Sequence, residues 1–313
     1  MNGILEYSLL IFFFLAWWWI FAGKLIFRIP VLPPLKPAGL AKWNGPETLL
    51  FFAMFCFLPA FAFQILQVSP GVKTFFTETE ITVSGENAPE NENSVTVEKP
   101  KKESHHLLVQ FLAKNPSPAK FLFGVLFAVI WMPFVEEFLF RAVIQGWAES
   151  AERKIFGISR KNGWRAVIFV ALFFSLMHLH AAEETYPPNS VLWMQFIGMF
   201  IGTVLTVVLT IYFLRRVYKT SWRKMGLDLR YWKSDLWYGF LAFNAVAVPV
   251  LVIQNYLYKI CTERGFSADQ FSLIPIALVF GLLYWRTHRV LPGFTAHALL
   301  NGTTVLGIFL GMK

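Results

Sequence analysis

Apolar residues in this chain come in long runs rather than in alternation. Eight stretches of roughly 20 residues carry few polar positions: about 6–27, 47–68, 119–147, 164–181, 191–214, 236–258, 271–286 and 290–311. Coiled as a helix at about 1.5 Å per residue, a run of that length spans the hydrocarbon of a bilayer. The pattern predicts an all-α fold, a polytopic membrane helix bundle of about eight transmembrane helices with its site inside the bundle. Pro59, Pro133, Pro249 and Pro275 fall inside the predicted spans. A membrane helix tolerates proline where a neighbouring group satisfies the freed carbonyl.

The polar stretches between the runs divide the chain into three parts. Residues 1–68 form an N-terminal two-helix membrane segment. Residues 69–118, including "TETEITVSGENAPENENSVTVEKPKKESHH", are polar with almost no aromatics and read as a disordered outer loop. Residues 119–313 form a second membrane domain, the catalytic one in this reading. The connectors also orient the chain. Residues 24–46, 148–165 and 215–235 and the turn near 287 are rich in Lys and Arg, and they alternate with acidic or neutral connectors at 69–118, 182–190 and 259–270. Basic connectors face the cytoplasm. Both termini are therefore expected outside. The first apolar run lacks a basic leader and a small-residue cleavage site, so it is read as a retained span.

Composition agrees with this reading. The 313 residues are 56% hydrophobic, with 34 Phe, 12 Trp and a net charge of +9; mean hydropathy is +0.52. In a bundle of this kind the positive charge belongs to the inner connectors, not to a nucleic-acid site. The 215–235 stretch, with Trp222, Tyr231 and Trp232, reads as an interfacial helix on anionic lipid. Two cysteines, Cys56 and Cys261, supply neither a disulfide framework nor a C-x-x-C site. The oligomeric state is not legible.

Three charges break the third run, in "WMPFVEEFLFRAVIQGW" at 131–147. A charge at the centre of a span costs about 2.5–3.5 kcal/mol on insertion scales, so such residues face the bundle interior and find partners. Glu137 and Arg141 stand four apart, Glu first, the favoured order for a helical ion pair. Glu136 is rotated about 100° from Glu137 and has no partner on its own helix. It is the residue left to act as general base or acid; the blander reading is a carboxyl hydrogen-bonded across helices for packing.

Other polar groups fall at a similar depth. His178 ends the fourth run, with Phe174 one turn earlier. His297 and Asn301 share a face of the last run. At the helical rise, Glu136, His178, His297 and Asn301 lie roughly 10–20 Å from the inner face. Each alone reads as well as an interhelical hydrogen-bonding group. Together they resemble a peptide-hydrolysis kit. Glu136 takes a proton from water, His178 helps hold that water, and His297 and Asn301 donate to a developing oxyanion. No H-E-x-x-H is present; were a divalent metal such as zinc bound, its ligands would be Glu136, His178 and His297. His105 and His106 in the polar loop, and His180, Glu183 and Glu184 just after His178, are read as solvated or interfacial groups. Trp17 to Trp19 are read as span-filling or interface residues.

Three motifs resemble the CPBP family, which includes type II CAAX prenyl endopeptidases and bacteriocin-processing (Abi) membrane proteins. They are E-E-x-x-x-R at Glu136, Glu137 and Arg141, F-x-x-x-H at Phe174 and His178, and H-x-x-x-N at His297 and Asn301. The resemblance implies an intramembrane endopeptidase whose cavity opens to the cytosol. Its substrate would be a membrane-associated peptide or lipidated protein, prenylated (CAAX-type) or bacteriocin-like, cut near its C-terminus. Glu136 and His178 would activate water and His297 and Asn301 would form the oxyanion hole, with Glu137, Arg141 and Phe174 in support. The family has been described both as metalloprotease-like and as glutamate-dependent without a zinc site, and the second description fits this residue set better. Two departures limit the transfer: the 182–270 region is longer than the family pattern, and the 69–118 loop has no counterpart. Rival functions are a non-catalytic membrane protein that protects or scaffolds a partner, and a proton-coupled transporter, whose usual inverted repeat is not visible.

Overall fold

Each apolar run is helical over its described part. The computed structural model describes residues 3–26, 28, 32–35, 40–71, 118–157, 162–178, 189–262 and 269–311. Among these the long helices are α1 (Gly3–Phe21, extended by a π-helical turn Ala22–Ile26), α2 (Gly45–Val68), α3 (Pro118–Phe156), α4 (Trp164–Met177), α5 (Asn189–Arg216), α6 (Trp232–Thr262), α7 (Asp269–Thr287) and α8 (Leu291–Gly311). By length and composition, Gly45–Val68, Pro118–Phe156, Ser190–Arg216 and Leu229–Ile253 can each cross a membrane. Leu10–Ile26, Trp164–Met177 and Leu273–Thr287 are apolar but shorter. The protein is a helical integral membrane bundle. Large apolar side chains such as Phe57, Phe61, Val68 and Leu122 lie on its outside, where lipid, not water, is the solvent.

α3 is the central element. It packs against α2, α4, α7 and α8, and its residues dominate the largest apolar cluster. It outruns the 119–147 stretch by nine residues because its extension is internally paired and sheltered. The Gln145 amide donates to Glu149 at 2.9 Å, and Arg153 pairs with Glu149 at 3.3 Å, each one turn apart. Glu152 accepts from the Ala166 backbone N–H at 3.1 Å, capping the first turn of α4. A carboxylate there meets the positive end of the helix dipole. Buried charge thus extends beyond the three residues expected, to Glu149, Glu152 and Arg153.

α2 and α5 run against each other at close range. A Cβ on Gly198 would fall 2.7 Å from the Phe63 backbone, and one on Gly202 would collide with the backbone of Pro59. Small residues at such a crossing let two membrane helices approach closely enough for backbone-level van der Waals contact. The Thr206 hydroxyl adds a bond to the Met54 carbonyl. On the other side α6, α7 and α8 form a second apolar cluster around Phe243, Phe280 and Ala296. α1 leans on α6 through edge contacts Phe12–Phe240 and Trp19–Trp237, while Trp18 stays exposed.

The 215–235 stretch differs from expectation. It is not one interfacial helix but two 3₁₀ turns, Trp222–Met225 and Leu229–Tyr231, before α6 begins at Trp232. Ser221 and Asp228 accept backbone N–H groups at the two starts, and Gly226, at φ +77°, ends the first. Short capped turns with a left-handed glycine between them cannot merge into a helix. Trp222, Tyr231 and Trp232 remain exposed. The segment 72–117, with His105 and His106, and residues 179–188, with His180, Glu183 and Glu184, lie outside the described residues.

Candidate active site

The site begins with irregularity in α3. Its hydrogen-bond register widens to the π form over Val125–Trp131 and again over Glu137–Gln145, with the regular turn Met132–Glu136 between. Inserted turns of this kind redirect side chains and often mark functional positions. Here all nine residues of the second π segment are buried. Glu137 and Arg141 lie in it with no exposed surface, Arg141 Nε 3.4 Å from Glu137 Oε2. This is the ion pair their spacing predicts. The Arg141 guanidinium also lies 5.6 Å above the Phe174 ring of α4, a contact that gains strength where water is absent.

Across from this pair stands His297 of α8. Its Nδ1 is 3.4 Å from Glu137 Oε1 and its Nε2 is 3.6 Å from Glu136 Oε2. The imidazole therefore sits between the two carboxylates. The result is a row of alternating groups, Glu136, His297, Glu137 and Arg141. Glu136 is not isolated, as its own helix suggested; its neighbour comes from another helix. Glu136 and His297 keep side-chain exposures of 13% and 11%, against 0–1% for the ion pair, so the Glu136 end of the row is the accessible one. Phe280 lies against the His297 ring at 5.2 Å. Gly293, one turn before His297, permits the approach: a Cβ there would strike the Glu137 carboxylate.

His178 closes α4, where its Nδ1 is 2.8 Å from the Phe174 carbonyl. Phe174 links it to the row. The Phe174 ring lies 4.4 Å from the His178 ring, 6.2 Å from the His297 ring and beneath Arg141. Phe174 is buried and further packed edge-on by Phe140. One aromatic side chain thus touches a member of each of the other two motifs.

Asn301 takes a different place. Its Nδ2 donates to the Ala128 carbonyl at 2.8 Å. The π register explains why that oxygen needs a donor. The Met132 N–H reaches back five residues to the Phe127 carbonyl. The next donor in that register would be residue 133, a proline without an N–H. Asn301 supplies what Pro133 lacks. Its amide stands at Ala128, eight residues and about 12 Å of helical rise before Glu136. One proton of the amide is engaged there; the second is left for another acceptor.

Among the described residues no three His, Cys, Asp or Glu side chains converge as a metal site. His297 turns Nε2 to Glu136 and Nδ1 to Glu137, and a carboxylate on the second nitrogen is compatible with a metal on the first; what the described geometry lacks is His178 as a third ligand beside Glu136 and His297.

Gly293 and Phe280 were missed by sequence reasoning. Gly293 was findable, because it precedes His297 by one turn and so shares its face. Phe280 was not, because contact between α7 and α8 depends on packing. A buried pair between Asp235 of α6 and Arg289, with Arg289 Nε at 2.7 Å from Asp235 Oδ2, was also missed; it fixes the turn from which α8 departs toward the site.

No curated protein and no solved structure matches the chain. The family match covers roughly a third of the sequence, takes in the first two motifs and stops before His297 and Asn301. Over residues 118–222 the chain matches the family described as type II CAAX prenyl endopeptidase Rce1-like, in agreement with the CPBP resemblance of its motifs, which takes in such endopeptidases.

Proposed function

We propose that the protein is an intramembrane endopeptidase that cuts a peptide bond near the C-terminus of a membrane-associated substrate, prenylated or otherwise lipidated. The observation that carries this reading is the buried row Glu136, His297, Glu137 and Arg141, accessible at its Glu136 end. Glu136 accepts a proton from water as the oxygen attacks the scissile carbonyl carbon. His178 helps to hold the water. His297 donates to the oxyanion that forms; Asn301, held on the Ala128 carbonyl, would join it only if substrate drew its amide away from that bond. The C–N bond then breaks, and the departing nitrogen takes the proton back from Glu136. Glu137 and Arg141 position His297 without touching substrate. The connectors support a cavity that opens on the basic, cytoplasmic side, with both termini outside.

The test is cleavage in proteoliposomes of peptides with and without a prenyl chain. Glu136→Gln keeps the shape and removes the base. The expected loss is on the order of 10²–10⁴-fold with an unchanged unfolding profile. Cleavage at the wild-type rate by a folded Glu136→Gln protein overturns the mechanism. Full cellular complementation by that variant supports a non-catalytic scaffold instead. Equal rates with and without the prenyl chain remove prenylation from the substrate definition.

A further inference from the structure

A second polar site lies at the basic end of the bundle, well away from the row. A cavity of about 250 Å³ opens between the 40–43 connector, the end of α3, the 220–230 connector and the turn at 284–289. Gly146, on its wall, is ten residues beyond Glu136, about 15 Å along the helix. Charge on the walls is heavily cationic. Much of it is already matched: Arg153 with Glu149, Arg230 with Asp228 at 2.6 Å, and Arg289 with Asp235. The Arg230 hydrogen bonds, aided by the nearby Arg223 charge, hold the Asp228 carboxyl down at about 2, so it stays ionised and tied to its own partner.

Three wall cations remain. Lys42, Arg223 and Lys224 make no ion pair with a carboxylate among the described residues; Lys42 reaches only the Lys219 carbonyl, at 3.3 Å. On the same wall Thr220 is 1% exposed, and its hydroxyl has no hydrogen-bond partner among the described residues. A buried hydroxyl without a partner is costly. Lys42, Arg223 and Lys224 are exposed, with Asp228 near Arg223, and water screens their mutual repulsion; they still leave this wall with more cations than carboxylates. A bound anion would accept from these cations and from the Thr220 hydroxyl. The cavity is smaller than the roughly 300–1,000 Å³ usual for drug-sized ligands, so the anion is compact. Exposed Trp222, Tyr231 and Trp232 on the same connector are suited to the headgroup level of a bilayer.

We propose that this cavity binds a phosphate group, held by Lys42, Arg223, Lys224 and the Thr220 hydroxyl, with a membrane lipid headgroup or soluble phosphate as its source.

The full chain in neutral detergent tests this by calorimetric titration with three probes: inorganic phosphate, dihexanoyl phosphatidylglycerol and dihexanoyl phosphatidylcholine. The expected result is binding of the phosphatidylglycerol, weakened at least tenfold in Arg223→Gln/Lys224→Gln and severalfold in Thr220→Val, and weakened by added salt. Thr220→Val preserves shape, so it separates loss of the hydroxyl from loss of fold; an unfolding profile like wild type in both variants confirms that they fold. Binding of phosphate as well extends the source to soluble anions, and binding of phosphate alone assigns it to them. Phosphatidylcholine, whose phosphate charge its own choline balances, is expected to bind more weakly; no binding of any probe, or unchanged affinity in both variants, overturns the proposal.

Discussion

Arg141 has no exposed surface, and its carboxylate partner is one turn away in the same π segment. Such a pair is costly to create and more costly to break, because removing one member strands the other charge away from water. Arg141→Leu should lower stability by about 3–5 kcal/mol, read as a lower midpoint in detergent-induced unfolding. Glu137→Leu/Arg141→Leu should recover most of that loss and still cleave poorly, since His297 then lacks its Glu137 contact. A double variant no more stable than the single one would show that the pair itself is not the stabilising unit. The pairing was legible from spacing, because four residues along a helix place two side chains on one face. The position of His297 between the carboxylates was not. It depends on how closely α8 approaches α3, and that rests on Gly293, one turn before His297, together with the Asp235–Arg289 pair, whose Asp235 comes from another helix.

At the scale of the element, α3 shows how a membrane helix can carry a proline and an irregular register without exposing a bare carbonyl to lipid. Sequence alone predicts that Pro133 needs help from a neighbour. The donor turns out to be Asn301, acting on Ala128 because the π register shifts the orphan by one residue. The prediction is a coupling between two helices. Asn301→Ala should destabilise by about 1–3 kcal/mol, the cost of an unmet buried carbonyl. The same change should cost much less in a Pro133→Ala background, where a backbone N–H is restored. Additive effects in that double-mutant cycle would break the link. The 217–231 connector makes the opposite point. Its composition suits an interfacial helix, but Gly226 and two side-chain caps divide it into short turns; the first turn carries Arg223 and Lys224 to the cavity wall, and Thr220 just before it joins them there.

On the scale of the whole molecule, a ligand set drawn from separate helices exists only if the bundle brings it together. His297 is engaged by two carboxylates on opposite nitrogens, and His178 reaches the row through Phe174. If Glu136 activates water without a metal, as proposed, cleavage survives exhaustive dialysis against EDTA; activity that is lost and then restored by zinc would show that a metal site is assembled instead. What the sequence determined by itself was the helical membrane class, the position of each long helix and the pairing of Glu137 with Arg141. Run length, hydropathy and the 3.6-residue period are local, and a bilayer leaves a long apolar run little choice but to be helical. Tertiary structure alone decided that His297 lies between Glu136 and Glu137, that Asn301 serves the carbonyl Pro133 leaves open, and that separate basic connectors enclose one cavity. Each of these contacts joins residues distant in the chain, so it is set by helix approach and crossing, which single-sequence periodicity does not encode.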